Sequence, residues 1–159
     1  IYINRGWMRN HEYYMNLAIK EAGKAAGIDE VPVGAVIVDQ NHTVIGKGFN
    51  RPISASDPTS HAEINAMRMA AKALHNYRLI DTTLYVTMEP CVMCMGAIIH
   101  ARIKTLVFGA ADPKWGAAVS LYAMARDDRF NHQPDVISGI MESETRQMIK
   151  DFFKAKRSR

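Results

Sequence analysis

The 159-residue chain has only two cysteines, Cys91 and Cys94, and they lie three positions apart. No disulfide framework can therefore link distant parts of the chain, and such cysteine usage is typical of a reducing compartment. Long apolar runs are also missing, since the longest, 33–38 and 92–99, fall far short of the roughly 20 residues that cross a bilayer. We predict a cytoplasmic protein without a membrane span.

The sequence also has no low-complexity tract, no internal repeat and no linker-like stretch. With 48% apolar residues, it is long enough to bury one sizeable core, so we predict a single domain over 1–159. The N-terminus lacks the features of a secretory signal. Because the first residue is Ile and Met8 is a candidate start, residues 1–7 are expected to be a vector-derived or disordered extension.

The charge is mildly basic, with a net value of +4 and a pI near 9.1, which favours polyanionic partners. Five basic side chains crowd the last ten positions against the single acid Asp151: Lys150, Lys154, Lys156, Arg157 and Arg159. This cluster is either an RNA-binding terminus or the solvated face of a final helix.

Hydrophobic spacing and turn residues predict an alternation of strands and helices. The predicted strands are 33–38, 44–49, 84–88, 106–108 and 136–137. Helices are predicted over 10–26, up to Leu74 after a cap at Thr59 or Ser60, over 91–101, near 120–126 and from Glu142 onward. This order indicates a mixed sheet covered by helices, a three-layer α/β architecture whose ligands sit near the carboxyl ends of strands.

The two cysteines stand at the start of a predicted helix, where their sulfurs share one face and the helix N-terminus stabilises thiolates. Taken alone, this spacing is ambiguous, because a metal site and a redox dithiol present the same two cysteines at a helix start. His61 at the start of another helix favours the metal, because one imidazole and two thiolates make a zinc site with an open fourth position. An open position is typical of catalysis.

A structural zinc site would need a fourth protein ligand, and the spacing of the remaining histidines recommends none of them. They are expected to be surface or hydrogen-bonded residues: His11, His42, His75, His100 and His132. Two thiolates cancel the formal charge of Zn²⁺, so a water bound there would need a neighbouring base. Glu63 is the candidate for that base. Its alternative role is a first-turn carboxylate that favours the helix dipole.

His61-Ala62-Glu63 followed by Pro90-Cys91-Val92-Met93-Cys94 resembles the signature of zinc-dependent nucleobase deaminases. A wider resemblance, to the bacterial tRNA-specific adenosine deaminases, covers nearly the whole chain. Its segments are Val31–Val36, Asn50–Pro52, Asp57–Glu63, Asn76–Leu79, Thr82–Thr87, Gly109–Asp112 and Phe152–Phe153.

The resemblance implies a cytidine deaminase-like α/β/α fold with a five-stranded mixed sheet and one zinc ion per chain, held by His61, Cys91 and Cys94. It further implies a homodimer that binds a tRNA anticodon stem-loop and hydrolyses the wobble adenosine to inosine with a zinc-activated water. Glu63 would be the catalytic residue that moves the protons. No nucleotide cofactor is expected.

By the same resemblance, Asn50 and Ala62 would hold the base, Asp112 would meet the ribose and backbone, and Phe153 would contact RNA. From the residues alone, Asn50 equally ends a strand and Asp112 equally stabilises a loop. The sequence departs from the family pattern at Ala111 and at 113–115, which leaves contacts to flanking nucleotides open. Trp115 could stack on a base or pack against a second subunit.

Two other functions remain open at this point. The zinc motif does not choose the base, so a deaminase of free guanine, cytidine or another nucleobase is an alternative. A zinc or RNA-binding module without turnover is a second, in which Glu63 would be incidental. The basic terminus favours RNA as the substrate. Asp112 favours it too, because a carboxylate close to phosphate groups is an unusual choice unless it binds the 2′-hydroxyl of a ribose.

Overall fold

The computed structural model describes residues 5–159 and contains one mixed sheet of five strands in the order β2-β1-β3-β4-β5. The strands are β1 (Gly34–Val38), β2 (Val44–Phe49), β3 (Thr83–Met88), β4 (Thr105–Ala110) and β5 (Asp135–Ile137). β1 is antiparallel to β2 and β3, whereas β3, β4 and β5 run parallel. The predicted mixed five-stranded sheet is confirmed.

Helices cover both faces of this sheet: α1 (Arg5–Gly27), α2 (Ala62–Leu74), α3 (Val92–Ala101) and α4 (Glu142–Arg157). Strand alternation explains the layers, since successive side chains point to opposite faces. In β1, Ala35 and Ile37 join the core under α2 and α3, while Val36 and Val38 join the core under α1. The three-layer α/β/α architecture is therefore confirmed. None of the described helices combines the length and apolarity needed to span a bilayer.

Two predicted helices differ in extent. α1 begins at Arg5, five residues before the predicted start, so residues 5–7 belong to its first turn. Residues 1–4 lie outside the described residues, and a vector origin of 1–7 stays a prediction. The helix expected near 120–126 is a single 3₁₀ turn over Met124–Arg126. The residues on either side of it form turns, because this segment lacks the buried apolar residues at helical spacing that would hold a longer helix against the core.

The sheet brings three chain segments to one edge. β2, β3 and β4 point the same way, because β1 is antiparallel to both of its neighbours and β4 is parallel to β3. The residues that follow their last positions, Asn50, Glu89 and Ala111, therefore meet at the carboxyl edge. Ligand sites of α/β sheets typically form at such an edge.

Two glycines on β2 allow α2 to pack directly on the strand. A Cβ atom on Gly46 would overlap the backbone oxygen of Ala66, and one on Gly48 would overlap that of Ala62. The close approach fixes the first turn of α2, and with it the segment that carries His61. The glycines thus place the site as well as the helix.

We expect Gly48→Ala to lower the free energy of unfolding by about 2 kcal/mol, because the added methyl group forces α2 away from β2. Urea unfolding followed by circular dichroism measures the change. Gly23→Ala is the control: it lies within α1, a Cβ there has no atom within 4 Å, and the substitution should be neutral or stabilising. Equal stability of the two variants would contradict this packing role.

Candidate active site

His61 and Cys91 each occupy the N-cap position of a helix, His61 before α2 and Cys91 before α3. Both have extended backbone conformations, and neither side chain makes a capping hydrogen bond. The predicted cap at Thr59 or Ser60 is therefore wrong. The Thr59 hydroxyl instead donates to Asp57, and the Ser60 side chain pairs with Asn65 in α2. The two N-cap side chains remain available to a metal.

The ligand atoms of His61, Cys91 and Cys94 lie within 4.8 Å of one another, and no other such group of His, Cys, Asp and Glu occurs within residues 5–159. The Nδ1 atom of His61 lies 3.6 Å from Sγ of Cys91 and 3.5 Å from Sγ of Cys94. Zinc bonds of about 2.0 Å to nitrogen and about 2.3 Å to sulfur, at a tetrahedral angle, place nitrogen and sulfur about 3.5 Å apart. The three side chains therefore fit zinc and leave its fourth position open.

The thiol pair is prepared for a metal. A hydrogen bond with Cys94 lowers the pKa of Cys91 to about 4, although burial opposes it, and His61 lowers it further. The same hydrogen bond, together with burial, raises the pKa of Cys94. The lowered pKa of Cys91 favours its thiolate, which is the form that coordinates zinc.

Glu63 lies in the first turn of α2, two residues after His61, and is 3% exposed. Burial raises the pKa of this carboxyl to about 7, against smaller lowering effects that include the charge of His61. A group with a pKa near neutrality can both accept and return a proton at working pH. The structure thus brings the predicted acid–base residue beside the predicted ligands.

His61, Glu63 and Cys91 line one cavity of about 740 Å³ at the carboxyl edge of the sheet, whereas Cys94 is fully buried. Of the predicted substrate residues, Asn50, Asp112 and Phe153 also line it. Phe153 is 42% exposed, so its ring is accessible to a ligand, whereas Phe152 is half-buried and Lys156 lies over its ring. Ala62 is fully buried and is not among the residues that line this cavity.

Asp112 divides its carboxylate between two tasks. Its Oδ1 accepts the backbone N–H groups of Lys114 and Trp115 at 3.0 and 3.2 Å, which stabilises the loop. Its Oδ2 accepts no hydrogen bond from the described part of the chain, and Asp112 is one of the residues that line the cavity. The structural role considered from sequence is therefore real, and one oxygen remains for a ligand.

Glu89 is the residue that sequence reasoning missed. It is 5% exposed and accepts hydrogen bonds from the N–H of Asp112 at 3.1 Å, from those of Val119 and Ser120, and from the Ser120 hydroxyl. Burial raises its pKa, but these hydrogen bonds prevail and hold the pKa below its usual value. A Cβ on Gly116 would overlap its carboxylate. Glu89 thus ties the Asp112 loop to the segment that leads into Cys91.

Comparison with known proteins identifies the family to which this chain belongs. Residues 8–110 match the cytidine and deoxycytidylate deaminase zinc-binding region. The chain is 50% identical over 146 residues to the tRNA-specific adenosine deaminase of Haemophilus influenzae, covering 92% of this chain and 84% of that protein. This chain belongs to the tRNA-specific adenosine deaminase family. The Bacillus subtilis tRNA-specific adenosine deaminase is 43% identical over 152 residues, which cover 96% and 94% of the two chains.

The tRNA-specific adenosine deaminase family also supplies a structural counterpart. A solved structure from a study of A-to-I editing by tRNA:A34 deaminases at the wobble position of transfer RNA matches with a TM-score of 0.82 and 46% identity. The match covers 86% of this chain and 98% of the other. The chain therefore has a zinc-binding deaminase domain in which His61, Cys91 and Cys94 are positioned to bind the metal, and this favours a metal site over a redox dithiol.

Proposed function

We propose that this chain hydrolyses adenosine to inosine at the wobble position of a tRNA anticodon. The observation that carries the proposal is the cavity, which joins the zinc ligands and buried Glu63 to a rim of aromatic and basic side chains. The relatives named above support tRNA as the substrate. Reduced thiol ligands suit a cytoplasmic setting, which is part of the proposal.

The proposed chemistry divides between the metal and the chain. When bound by its three ligands, zinc supplies an activated water and stabilises negative charge. Glu63 would take one proton of the attacking water at its carboxylate and deliver it to the ring nitrogen of adenine. It would then take the second proton of the same water as the C6 carbonyl forms, and deliver it to the amino group, which leaves as ammonia when the C6–N bond breaks. Its buried position keeps bulk water from competing for these protons. The reaction consumes water and releases ammonia with inosine.

The substrate contacts remain proposals for individual residues. The Asn50 side chain lines the cavity and has no hydrogen bond to the described residues, so its amide is free to hold a base edge. The free Oδ2 of Asp112 would accept from a 2′-hydroxyl, which would favour RNA over DNA. Phe153 would offer an aromatic face at the rim. The backbone of Ala62, which is fully buried in the free chain, would add a contact at the start of α2.

We propose that the chain forms a homodimer that engages the anticodon stem-loop. Large apolar side chains remain exposed on the outer face of α3 and beside it, where Val92, Tyr122 and Phe130 line one shallow pocket. Their exposed fractions are 49%, 56% and 38%, and clustered apolar exposure marks interaction surfaces. Sedimentation equilibrium of the zinc-loaded chain tests this assembly.

The deciding experiment compares substrates. The zinc-loaded protein is incubated with an anticodon stem-loop carrying a wobble adenosine, and in parallel with free adenosine, guanine and cytidine. We expect inosine from the stem-loop and little product from the free compounds, as measured by nucleoside chromatography. Turnover of a free base without turnover of the stem-loop would replace the proposal by the free-nucleobase alternative.

The basic terminus divides into two groups in the structure. Lys156 and Arg159 pair with Asp29 at 3.4 and 3.2 Å. A second group lines a surface groove on α4 beside Phe153, without an ion pair to the described residues: Lys150, Lys154 and Arg157. Phe153 lines both this groove and the active-site cavity. The three basic side chains therefore form a positively charged surface that adjoins the active site. We therefore expect RNA contacts from this group.

Replacing Lys150, Lys154 and Arg157 together by Gln should weaken stem-loop binding and reduce the slope of log affinity against log salt by about two. The reason is that about three phosphate contacts are lost, with about 0.7 counterions each for a single strand. Fluorescence anisotropy at several salt concentrations gives the slope. Lys156→Gln with Arg159→Gln is the control, and the tail is a solvated face if both variants behave alike.

A further inference from the structure

Trp115 exposes 72% of its surface at the rim of the zinc cavity. Exposure of an indole forgoes the stabilisation that its burial would give, and a large exposed aromatic residue beside a concave site marks a binding surface. The other tryptophan, Trp7, is 43% exposed and packs edge-on against His11 in α1. Trp115 therefore differs in being held away from the body of the protein.

The backbone beneath Trp115 is fixed by hydrogen bonds. Asp112 Oδ1 accepts the Trp115 N–H at 3.2 Å, and the Gly116 N–H donates to the Asp112 carbonyl at 2.8 Å. Buried Glu89 accepts the Asp112 N–H at 3.1 Å and binds the far end of the same loop at Ser120. The backbone position of Trp115 is therefore preorganised, which lowers the entropic cost of ordering the loop when a planar partner binds.

The cavity has room for more than the target base. Its volume of about 740 Å³ falls in the range that encloses a drug-sized ligand, which is several times larger than a single purine ring system. Lys114 stands next to Trp115 on the rim and has no ion pair to the described residues, so its charge suits a phosphate. The indole of Trp115 and the ammonium group of Lys114 together match a nucleotide, the first by stacking on its base and the second by pairing with its phosphate.

We propose that Trp115 is a stacking platform for the nucleobase adjacent to the target adenosine in the single-stranded anticodon loop. The proposal rests on the proposed function and adds a binding residue to it. Loop bases that are splayed out of a helix are recognised by stacking on aromatic side chains, with little dependence on sequence. Trp115 acts on substrate binding and leaves the chemical step to Glu63.

Fluorescence tests the contact directly, because Trp7→Phe leaves Trp115 as the sole tryptophan. The zinc-loaded variant is titrated with a stem-loop that carries inosine at the wobble position, so that no turnover occurs. We expect the emission of Trp115 to be quenched in step with binding. Free inosine, which has no neighbouring base, should leave the emission nearly unchanged at the same concentration.

Kinetics test the energetic role. Trp115→Ala should raise the KM for the stem-loop about five- to thirty-fold and change kcat by less than about two-fold, whereas Trp115→Phe should keep most of the affinity. A stem-loop that is abasic at the contacted neighbour should erase the difference between wild type and Trp115→Ala. Tyr13→Ala removes another exposed aromatic ring, on α1 and outside the cavity, and should leave KM unchanged.

The outcomes separate the two proposals. If the wild type makes inosine but Trp115→Ala leaves KM unchanged and RNA does not quench Trp115, the stacking platform is wrong and the function stands. If Trp115→Ala turns a dimer into a monomer, and the emission of Trp115 in the Trp7→Phe variant changes on dilution without RNA, Trp115 packs against a second copy and the platform is also wrong. If the wild type makes no inosine from the stem-loop, the function itself fails.

Discussion

Glu63→Gln is expected to lower kcat for the stem-loop by about 10³-fold while zinc stays at one ion per chain. The amide keeps the size of the side chain, so the buried site should still fold, but it cannot accept and return a proton. Because burial places the pKa of Glu63 near 7, the wild-type group is suited to both transfers and the variant to neither. Single-turnover assays, with zinc measured by mass spectrometry, give both quantities.

The competing role of Glu63, as a first-turn carboxylate of α2, makes a different prediction. A helix-dipole interaction contributes about 0.3 to 1 kcal/mol to stability and nothing specific to turnover. Glu63→Gln would then lower the melting temperature slightly and leave kcat within a few-fold of wild type. That result, with zinc retained, would contradict the acid–base assignment.

Cys91→Ala is expected to reduce zinc to well below one ion per chain and to abolish deamination. Only three side chains, His61, Cys91 and Cys94, can hold the ion within the described part of the chain, so losing one leaves too few for tight binding. Cys91 is also the thiol whose pKa falls to about 4, and it therefore supplies the ready thiolate. Metal content after dialysis against a weak chelator is the measurement.

The neighbouring substitution Val92→Ala is the matched control for the zinc experiment. Val92 lies between the two cysteines in sequence, is 49% exposed and offers no ligand atom, so one zinc ion per chain should remain. Zinc retained at full occupancy in Cys91→Ala would show that the assigned ligand set is wrong. The same outcome would reopen the dithiol interpretation of Cys91 and Cys94.

The metal ligands could be predicted from sequence because the signals for them are local. His61 and the two cysteines each stand at a helix start, and few side chains bind zinc. The predicted helix cap was wrong although Thr59 and Ser60 are good capping residues by type. The side chain of Thr59 hydrogen-bonds to Asp57 and that of Ser60 to Asn65 instead. Both partners lie nearby in the sequence, two and five positions away, so residue type alone could not decide which hydrogen bond each side chain would make.

Glu89 and Trp115 could not be assigned from sequence because their roles depend on distant segments. The partners of Glu89 are 23 to 31 positions away, and no spacing rule connects them. A glutamate directly after a buried strand is a weak signal in the sequence. Only the knowledge that Glu89 is buried would have predicted a structural role, because buried carboxylates are uncommon unless they are paired. The exposure of Trp115 likewise follows from the course of its loop and not from its residue type.

The position of the ligands in the chain has a consequence for folding. His61 and Cys91 are separated by 30 residues, and an ion bound by both closes the intervening segment into a loop. By the chain-entropy relation used for disulfides, a cross-link of this length restricts the unfolded chain by about 3 to 4 kcal/mol. A bound zinc ion would thereby act as a reversible cross-link between α2 and α3. A disulfide could not take this role, because the only two cysteines of the chain lie three positions apart.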